Sequence, residues 1–431
     1  MAARRPSKPF GAAIHRAAGG TWSTGPVEAT LERHVAVVGG GPAGLFAAER
    51  LAAAGVRVTV YELRRSAGRT LLLAGRSGLN LTHDDAPDLL CERVTDSTGL
   101  VHVALRDFGV AELRAWADGL DANTFVGSSG RVFPAAMRGA PLVRAWLARL
   151  AELGVDIRTG HRWLGWSEGG HLMFDGPAGP IGVEADATVL ALGGASWPGV
   201  GSDGSWVPLL EARGVAVEPL RPANCGMCVD WSAVLLDRHE GSPLKGVRVT
   251  AAGRSATGDL TITRSGLEGT PVYTVASAFG AHTGAGEIRI DLQPDRTVDE
   301  VMAHLASKRR PKDSISTWLR RAGVQAAAVD LLRDVTGNAI PADPEALAQL
   351  LKSVPLPVAG LAPMERAISS AGGVRLDQVT DGFMLGELPG VFVAGEMLDW
   401  DAPTGGYLLQ TCFSTGAAAA DGVLRWLDES A

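Results

Sequence analysis

The stretch HVAVVGGGPAGLFAAERL, residues 34–51, decides the fold. Residues 34–38 are a short apolar run with β-branched valines, and residues 45–54 are a helix-compatible run that stops at Gly55. Between them lies Gly39-x-Gly41-x-x-Gly44. In such a unit the first glycine permits the tight turn, the second lets backbone approach a pyrophosphate, and the third allows helix to pack closely on strand. The helix then presents unpaired N–H groups and the positive end of its dipole to the anion. A second strand, residues 56–61, ends at Glu62, about 20 residues past the turn, where an acid accepts hydrogen bonds from a ribose. A glycine triplet by itself says little in a chain with 55 glycines. Strand, triplet, helix, second strand and terminal acid in this order predict an α/β, Rossmann-like dinucleotide site. The motif alone suits FAD and NAD equally.

The whole chain sets limits on that reading. Its 431 residues exceed one compact core and suggest about two or three units. Hydrophobic residues at 46% and charged residues at 20% describe an ordinary globular protein. A formal charge of −7 argues against a broad nucleic-acid surface, leaving only the local run Lys308, Arg309, Arg310 and Lys312, which reads as a solvated helix end. Four cysteines, Cys91, Cys225, Cys228 and Cys412, are too few for a disulfide scaffold and fit a reducing compartment, so cytoplasm is the expectation. No run of 18 or more apolar residues is present, so no membrane span is expected. Residues 1–33 carry Arg4, Arg5, Lys8 and Arg16 with no acid before Glu28 and read as a flexible tail.

Three later stretches favour FAD. GRTLLLAGRSGLNLTH, residues 68–83, reads as a glycine-rich polar loop that suits a cofactor continuing along the fold. ATVLALGGASWP, residues 187–198, is a buried strand that stops at Gly193 and Gly194, where a chain can leave a nucleotide-binding sheet for an inserted domain. Residues 390–427 contain a strand ending at Gly395-Glu396, the glycine pair Gly405-Gly406 and a closing small-residue helix.

At these residues the sequence resembles the bacterial BaiN-like NAD(P)/FAD-dependent oxidoreductases, also labelled the aminoacetone oxidase family, within the two-dinucleotide-binding-domain flavoproteins. The likeness runs from about His34 onward. Beside the glycine turn it rests on Gly75-Arg76-Ser77-Gly78-Leu79-Asn80-Leu81-Thr82, Gly130-Arg131-Val132-Phe133-Pro134 and Gly193-Gly194-Ala195-Ser196-Trp197-Pro198. It continues through residues 265–271, Gly372-Gly373-Val374 and residues 394–399 with Gly405-Gly406-Tyr407. The resemblance implies a discontinuous FAD domain, residues 34–197 and 371–431, interrupted by a mixed β and helical domain at 198–370. Strand-like runs at 215–229, 247–252 and 287–292 place its β part at about 215–295. Helix-like runs at 298–308, 314–322, 326–335 and 344–354 place its helical part at about 297–355.

Carried over by position, the resemblance sets Gly39, Gly41, Pro42, Ala43 and Gly44 at the pyrophosphate and Glu62 at the adenosine ribose. Arg69, Gly75 and Asn80 join them as cofactor contacts. Trp163, near the end of the strand predicted after Gly154, is placed by its backbone at the adenine. Gly395 and Glu396 fall by the pyrophosphate and ribityl chain. Gly405, Gly406, Tyr407 and Leu408 open the last helix beneath the pyrimidine side of the flavin, where a helix N-terminus stabilises charge on the reduced ring. His83 and Tyr407 are the candidate catalytic groups, able to donate a hydrogen bond to a substrate carbonyl or return a proton. Asn80 and Thr82 read as loop groups that satisfy backbone and cofactor atoms. Arg76 and Arg131 suit FAD phosphates, an acidic substrate or local carboxylates. Asp399 and Asp401 suit a turn cap or a base.

Two further signals compete. Gly199-x-Gly201-x-x-Gly204 imitates a second dinucleotide turn, but Pro198 and Trp206 make a poor strand-to-helix transition, and the resemblance makes it a crossover loop. NADH or NADPH is then expected to dock only transiently as electron donor. Cys225-x-x-Cys228 has redox spacing, yet Pro222 before it and alternating apolar residues after it indicate a strand, with the thiols serving as small hydrophobes. No metal site is expected. The resemblance thus implies hydride transfer from flavin N5 to an activated C=C bond. A flavin oxidase of an amine or alcohol, and a flavin-holding RNA or ribosome partner using the basic run, are the alternative readings.

Overall fold

The computed structural model describes residues 33–75, 78–251, 253–276, 279 and 285–430. The tail at 1–32, and Arg76 and Ser77 of the glycine-rich motif, lie outside the described residues. Strand His34–Val38 is buried along its whole length, helix Pro42–Ala53 follows the glycine turn, and strand Arg57–Glu62 returns beside the first in parallel. Pro42 at the first helical turn has no N–H to leave unsatisfied and a backbone angle already suited to a helix.

These strands sit within a five-stranded parallel sheet of order Val391–Val393, Ala187–Leu190, His34–Val38, Arg57–Glu62, Asp156–Thr159. The central strand has one sequence neighbour on one side and a strand from 150 residues later on the other, so the sheet reverses its winding there. Helix Tyr407–Glu429 closes this half by lying against Pro42–Ala53. A Cβ at Gly416 would come within 2.6 Å of the Ala43 carbonyl oxygen, so glycine permits the crossing. The antiparallel meander Arg162–Trp166, Leu172–Gly176, Gly179–Val183 covers the sheet edge, with Phe174 stacked on Tyr61 at 4.2 Å. A small antiparallel sheet joins Thr82–His83, Arg131–Phe133 and Phe125–Val126.

The second core is built on a seven-stranded antiparallel sheet of order Val354–Val358, Gly286–Asp291, Pro243–Ala251, Arg254–Thr263, Gly266–Glu268, Met227–Cys228, Gly360–Leu361. Helices Val298–Lys308, Ile315–Arg321, Ala326–Val335 and Pro344–Lys352 bury their apolar stripes in this core, for example Val301 with Leu305 and Leu347 with Leu351. Strand Val217–Ala223 pairs antiparallel with Ser369–Val374 where the two halves join.

Three sequence-based boundaries differ from this architecture. Residues 68–83 are not all loop, because Arg69–Ala74 is helical and buries Leu71. Trp206, Leu210 and Val215 pack into the first core, whereas the second contains residues from Cys225 to Ala367, so the inserted core is narrower than 198–370. Trp163 is not on the strand after Gly154. That strand ends at Thr159, Gly160 turns the chain with φ +74°, and Trp163 lies in the first strand of the meander instead. Among the described residues, no helix is long and apolar enough to cross a membrane, and no His, Cys, Asp and Glu group suits a metal ion.

Candidate functional site

A cavity of about 610 Å³ opens at the carboxyl ends of the parallel strands, where the winding reverses. Its lining draws on several segments of the first half: the turn Gly39–Ala43, Glu62, helix Arg69–Ala74, Trp163, residues 191–193, residues 394–396 and Leu408.

The three motif glycines are held differently. Gly39 has φ +110°, and a Cβ there would lie 2.2 Å from the Ala191 carbonyl oxygen. A Cβ at Gly44 would lie 2.1 Å from the Gly39 carbonyl oxygen. The protein itself therefore demands glycine at both. Gly41 has an ordinary φ of −83°, and its nearest neighbour in the Cβ direction is Thr70 Oγ1 at 3.8 Å. Nothing among the described residues requires glycine there, so its bareness keeps the cavity mouth open to a ligand. Helix Pro42–Ala53 has no side-chain cap, and its first N–H groups are left for that ligand.

Polar groups around the cavity divide into paired and unpaired. Glu62 accepts from the Gly40 N–H at 2.8 Å and the Arg64 N–H at 2.7 Å, while burial pushes its carboxyl above the usual range. Glu396 accepts from the Ser370 N–H at 2.9 Å and more distantly from Gly194 N–H and the Ser370 hydroxyl, and burial raises it too. In contrast, Arg69 Nε, Thr70 Oγ1, Trp163 Nε1 and Ser202 Oγ are buried in the cavity lining with no hydrogen-bond partner among the described residues. Unpaired buried donors and acceptors are costly, and four on one cavity point to a polar ligand.

Of the sequence candidates, the structure brings Gly39, Gly41, Pro42, Ala43, Glu62, Arg69, Trp163, Gly395, Glu396 and Leu408 to this cavity. Gly44, Gly75, Asn80, His83, Gly405, Gly406 and Tyr407 are not in its lining. Gly44 is a packing glycine, as is Gly75, whose Cβ would meet the Gly139 nitrogen at 2.5 Å. Gly406, with φ +103°, would place a Cβ 2.5 Å from the Thr82 carbonyl carbon, so it lets the last helix start against the small sheet. Asn80 is half-buried, and among the described residues its Oδ1 lacks a partner, as does Thr82 Oγ1. Arg131 pairs across from His83 in the small sheet, away from the cavity lining.

His83 and Tyr407 come together with an acid that the sequence did not single out. The Tyr407 hydroxyl donates to Asp85 Oδ2 at 2.6 Å, His83 Nδ1 lies 2.8 Å from Asp85 Oδ1, and the two rings stack at 5.3 Å. Burial and the Asp85 carboxylate push the Tyr407 phenol far above its ordinary value. The His83 ring lies where a Cβ on Gly130 would be, 2.5 Å from its Cε1, which accounts for the glycine in the Gly130-Arg131 motif. Asp85 has no local signal, being one of several loop acids. Trp197, Ile368, Ser369 and Trp400, which also line the cavity, were missed because only tertiary folding gathers them.

The competing motifs resolve simply. Pro198–Val200 is a single 3-10 turn, and Gly201 and Ser202 border the same cavity without a second strand-to-helix unit. Cys225 is buried and its thiol is pushed up to about 11 by burial. Cys228 sits in a short strand, and all four cysteines are free. Arg309 of the basic run lies over the Trp318 ring at 4.0 Å.

A family model described as HI0933-like protein Rossmann domain matches residues 33–422. The chain belongs to that family, which is one of flavoprotein oxidoreductases. A 3-dehydro-bile acid delta(4,6)-reductase of Clostridium scindens is 27% identical over 414 residues, covering 89% of this chain and 97% of the relative. A ribosomal RNA dihydrouridine synthase of Haemophilus influenzae is 22% identical over 413 residues, covering 90% and 98%. Among solved structures, the 3-ketosteroid-delta4-(5alpha)-dehydrogenase of Rhodococcus jostii RHA1 is 16% identical, with 92% of this chain and 98% of that chain covered and a TM-score of 0.48. That structural likeness is too loose to carry function.

Proposed function

We propose that this member of the HI0933-like family binds FAD along the cavity at the carboxyl ends of the parallel strands and acts as a reductase of a carbonyl-conjugated C=C bond, with NADH or NADPH as a transient electron donor. The observation that carries the reading is the glycine turn. Gly39 and Gly44 are locked by the protein, while Gly41 is left open at the mouth of a 610 Å³ cavity that reaches Glu396 and Leu408.

The residues present fit the cofactor. The uncapped N–H groups at the start of Pro42–Ala53 would hold the pyrophosphate, and Glu62, whose oxygens keep lone pairs beyond their two backbone bonds, would accept from the ribose. The unpaired Thr70 hydroxyl, Arg69 Nε and Trp163 indole N–H would gain their missing partners. Glu396, steadied by Ser370, would face the ribityl hydroxyls. When bound, FAD supplies a carrier that accepts two electrons from a nicotinamide and releases them as hydride.

Proton handling is assigned to Tyr407 and His83, with Asp85 between them. Asp85 fixes the direction of the Tyr407 O–H, and the raised phenol keeps its proton across the working pH range. The two curated relatives support the substrate class: a delta(4,6)-reductase of a 3-dehydro skeleton and a dihydrouridine synthase both have names that describe reduction of a ring alkene near a carbonyl.

The test is the visible spectrum of the purified protein, taken anaerobically before and after NADH or NADPH. A flavin band that bleaches with one nicotinamide and returns on adding a cyclic enone or a uridine substrate supports the proposal. A band that returns only with oxygen, forming peroxide, moves the function to an oxidase. No flavin band, and no uptake of added FAD, overturns the cofactor.

A further inference from the structure

The inserted core begins at Cys225 and ends at Ala367, and the chain crosses between the halves just before and just after it. Asn224 sits in the first crossing, 5% exposed, with a left-handed φ of +47°. Its carbonyl oxygen accepts from the Ile368 N–H of the second crossing at 3.2 Å. Its side-chain Nδ2 donates to Ser369 Oγ at 2.8 Å and to the Ala402 carbonyl at 2.7 Å, and its Oδ1 accepts from the Thr404 N–H at 3.1 Å. A carbonyl only accepts and an N–H only donates, so these partners fix which way the amide points. One buried side chain thus ties both crossings to the loop that leads into the closing helix. Ile368 and Ser369 on one side and Leu408 on the other line the cavity.

We propose that Asn224 is a positioning residue that couples the seating of the inserted half to the loop at 402–406, which leads into Leu408 of the cavity wall. This rests on the reading that the cavity holds FAD. Left-handed backbone is tolerated by Asn, Asp and Gly alike, so a purely backbone role is met by glycine, whereas the knot needs two donors and one acceptor in fixed places. Aspartate keeps the size but sets an oxygen against the Ala402 carbonyl.

The experiment compares wild-type protein, Asn224→Gly and Asn224→Asp for FAD affinity by fluorescence titration, for visible-region circular dichroism of the bound flavin, and for thermal unfolding. Both variants are expected to unfold cooperatively but to bind FAD about tenfold or more weakly, with an altered flavin dichroism. An Asn224→Gly protein with wild-type affinity and dichroism overturns the proposal. Should both variants fail to fold, hydrogen exchange on the wild-type protein decides: the Thr404 amide exchanges as slowly as the core strands if the knot holds, and as fast as exposed loops if it does not. Wild-type protein that takes up no FAD sinks the flavin reading, and the Thr404 exchange rate then judges the knot alone.

Discussion

The helices that start at the cavity, Pro42–Ala53, Arg69–Ala74 and Tyr407–Glu429, have Gly41, Gly68 and Gly406 at their N-caps and no side-chain cap. In the inserted half, Ser232, Thr297, Ser314 and Asp343 each accept a backbone N–H at a helix start, Thr297 within a reciprocal capping box with Glu300. Only Ala326–Val335 lacks such a cap among the described helices that begin from 233 to 344, apart from Thr270–Ala276, where no cap is assigned. Capping satisfies orphan N–H groups internally, whereas a bare start leaves them to a ligand. Bare starts also occur in the first half away from the cavity lining, at Pro87–Glu92, Leu100–Asp107 and Gly139–Glu152, so capping separates the two halves, and at the cavity the bare N–H groups face a space that a ligand can fill.

The sharpest way to break that contrast is in the glycine turn. Gly39→Ala or Gly44→Ala puts a Cβ into backbone about 2.1 to 2.2 Å away and is expected to cost about 3 kcal/mol or more, seen as loss of soluble folded protein or a collapsed denaturation midpoint. Gly41→Ala meets no backbone, so stability without cofactor should stay within about 1 kcal/mol while FAD affinity falls at least about tenfold. Equal destabilisation by all three would show that Gly41 serves the fold.

Cofactor addition sharpens it next. FAD at about 100 times its dissociation constant should stabilise the protein by about 2.7 kcal/mol, and the gain in hydrogen-exchange protection should concentrate at the turn and at residues 394–408, not in the helices of 298–352. Uniform protection would erase the distinction. Smaller again, Thr297→Ala or Asp343→Ala should lower stability by about 1 kcal/mol and leave FAD affinity unchanged, as read by denaturant titration and flavin fluorescence.

A pH experiment asks whether pairing follows distance from the cavity or membership of a half. At the opposite end of the parallel sheet, His34 is paired like a residue of the inserted half: Nδ1 contacts the Glu184 carbonyl at 3.0 Å and Nε2 the Thr59 hydroxyl at 3.0 Å. Burial lowers its pKa below 6.5, so the unfolded chain binds the proton more readily. Its contribution is therefore full above pH 6.5 and is lost as pH falls from there toward the folded value. Denaturation at pH 7.5 and 5.5 should show a smaller acid loss in His34→Gln than in wild type. Identical slopes would mean that the ring is not held neutral.

Much of this was legible because it is local. The glycine triplet, the acid 18 residues beyond Gly44 at Glu62 and the helix-like runs at 298–308, 314–322, 326–335 and 344–354 each express chemistry within a few turns of chain. The parts that escaped depend on distance. Trp163 reads as a continuation of the strand after Gly154 because nothing in the alternation reveals the left-handed turn at Gly160. Helix Arg69–Ala74 hides in a glycine-rich context, and it is the burial of Leu71 and the close packing of Gly75 against Gly139 that reveal it. Asp85, Ser370 and Asn224 have unremarkable neighbours in sequence, and their partners Tyr407, Glu396 and Ala402 lie 322, 26 and 178 positions away. The inserted core was drawn too wide because residues 206–215 are as apolar as those beyond 225, and only packing assigns them to the first core.

The order of strands in the parallel sheet has a consequence for synthesis. The edge strand Val391–Val393 and the helix that closes the cavity are made after the whole inserted core. At ordinary translation rates of about 5–20 residues per second, a nascent chain carries an open, unfinished cavity for on the order of ten seconds while the inserted half is free to fold. Cofactor capture on this protein then follows synthesis of the inserted core, and until Val391–Val393 pairs with it the edge of strand Ala187–Leu190 is the surface a chaperone would have to shield.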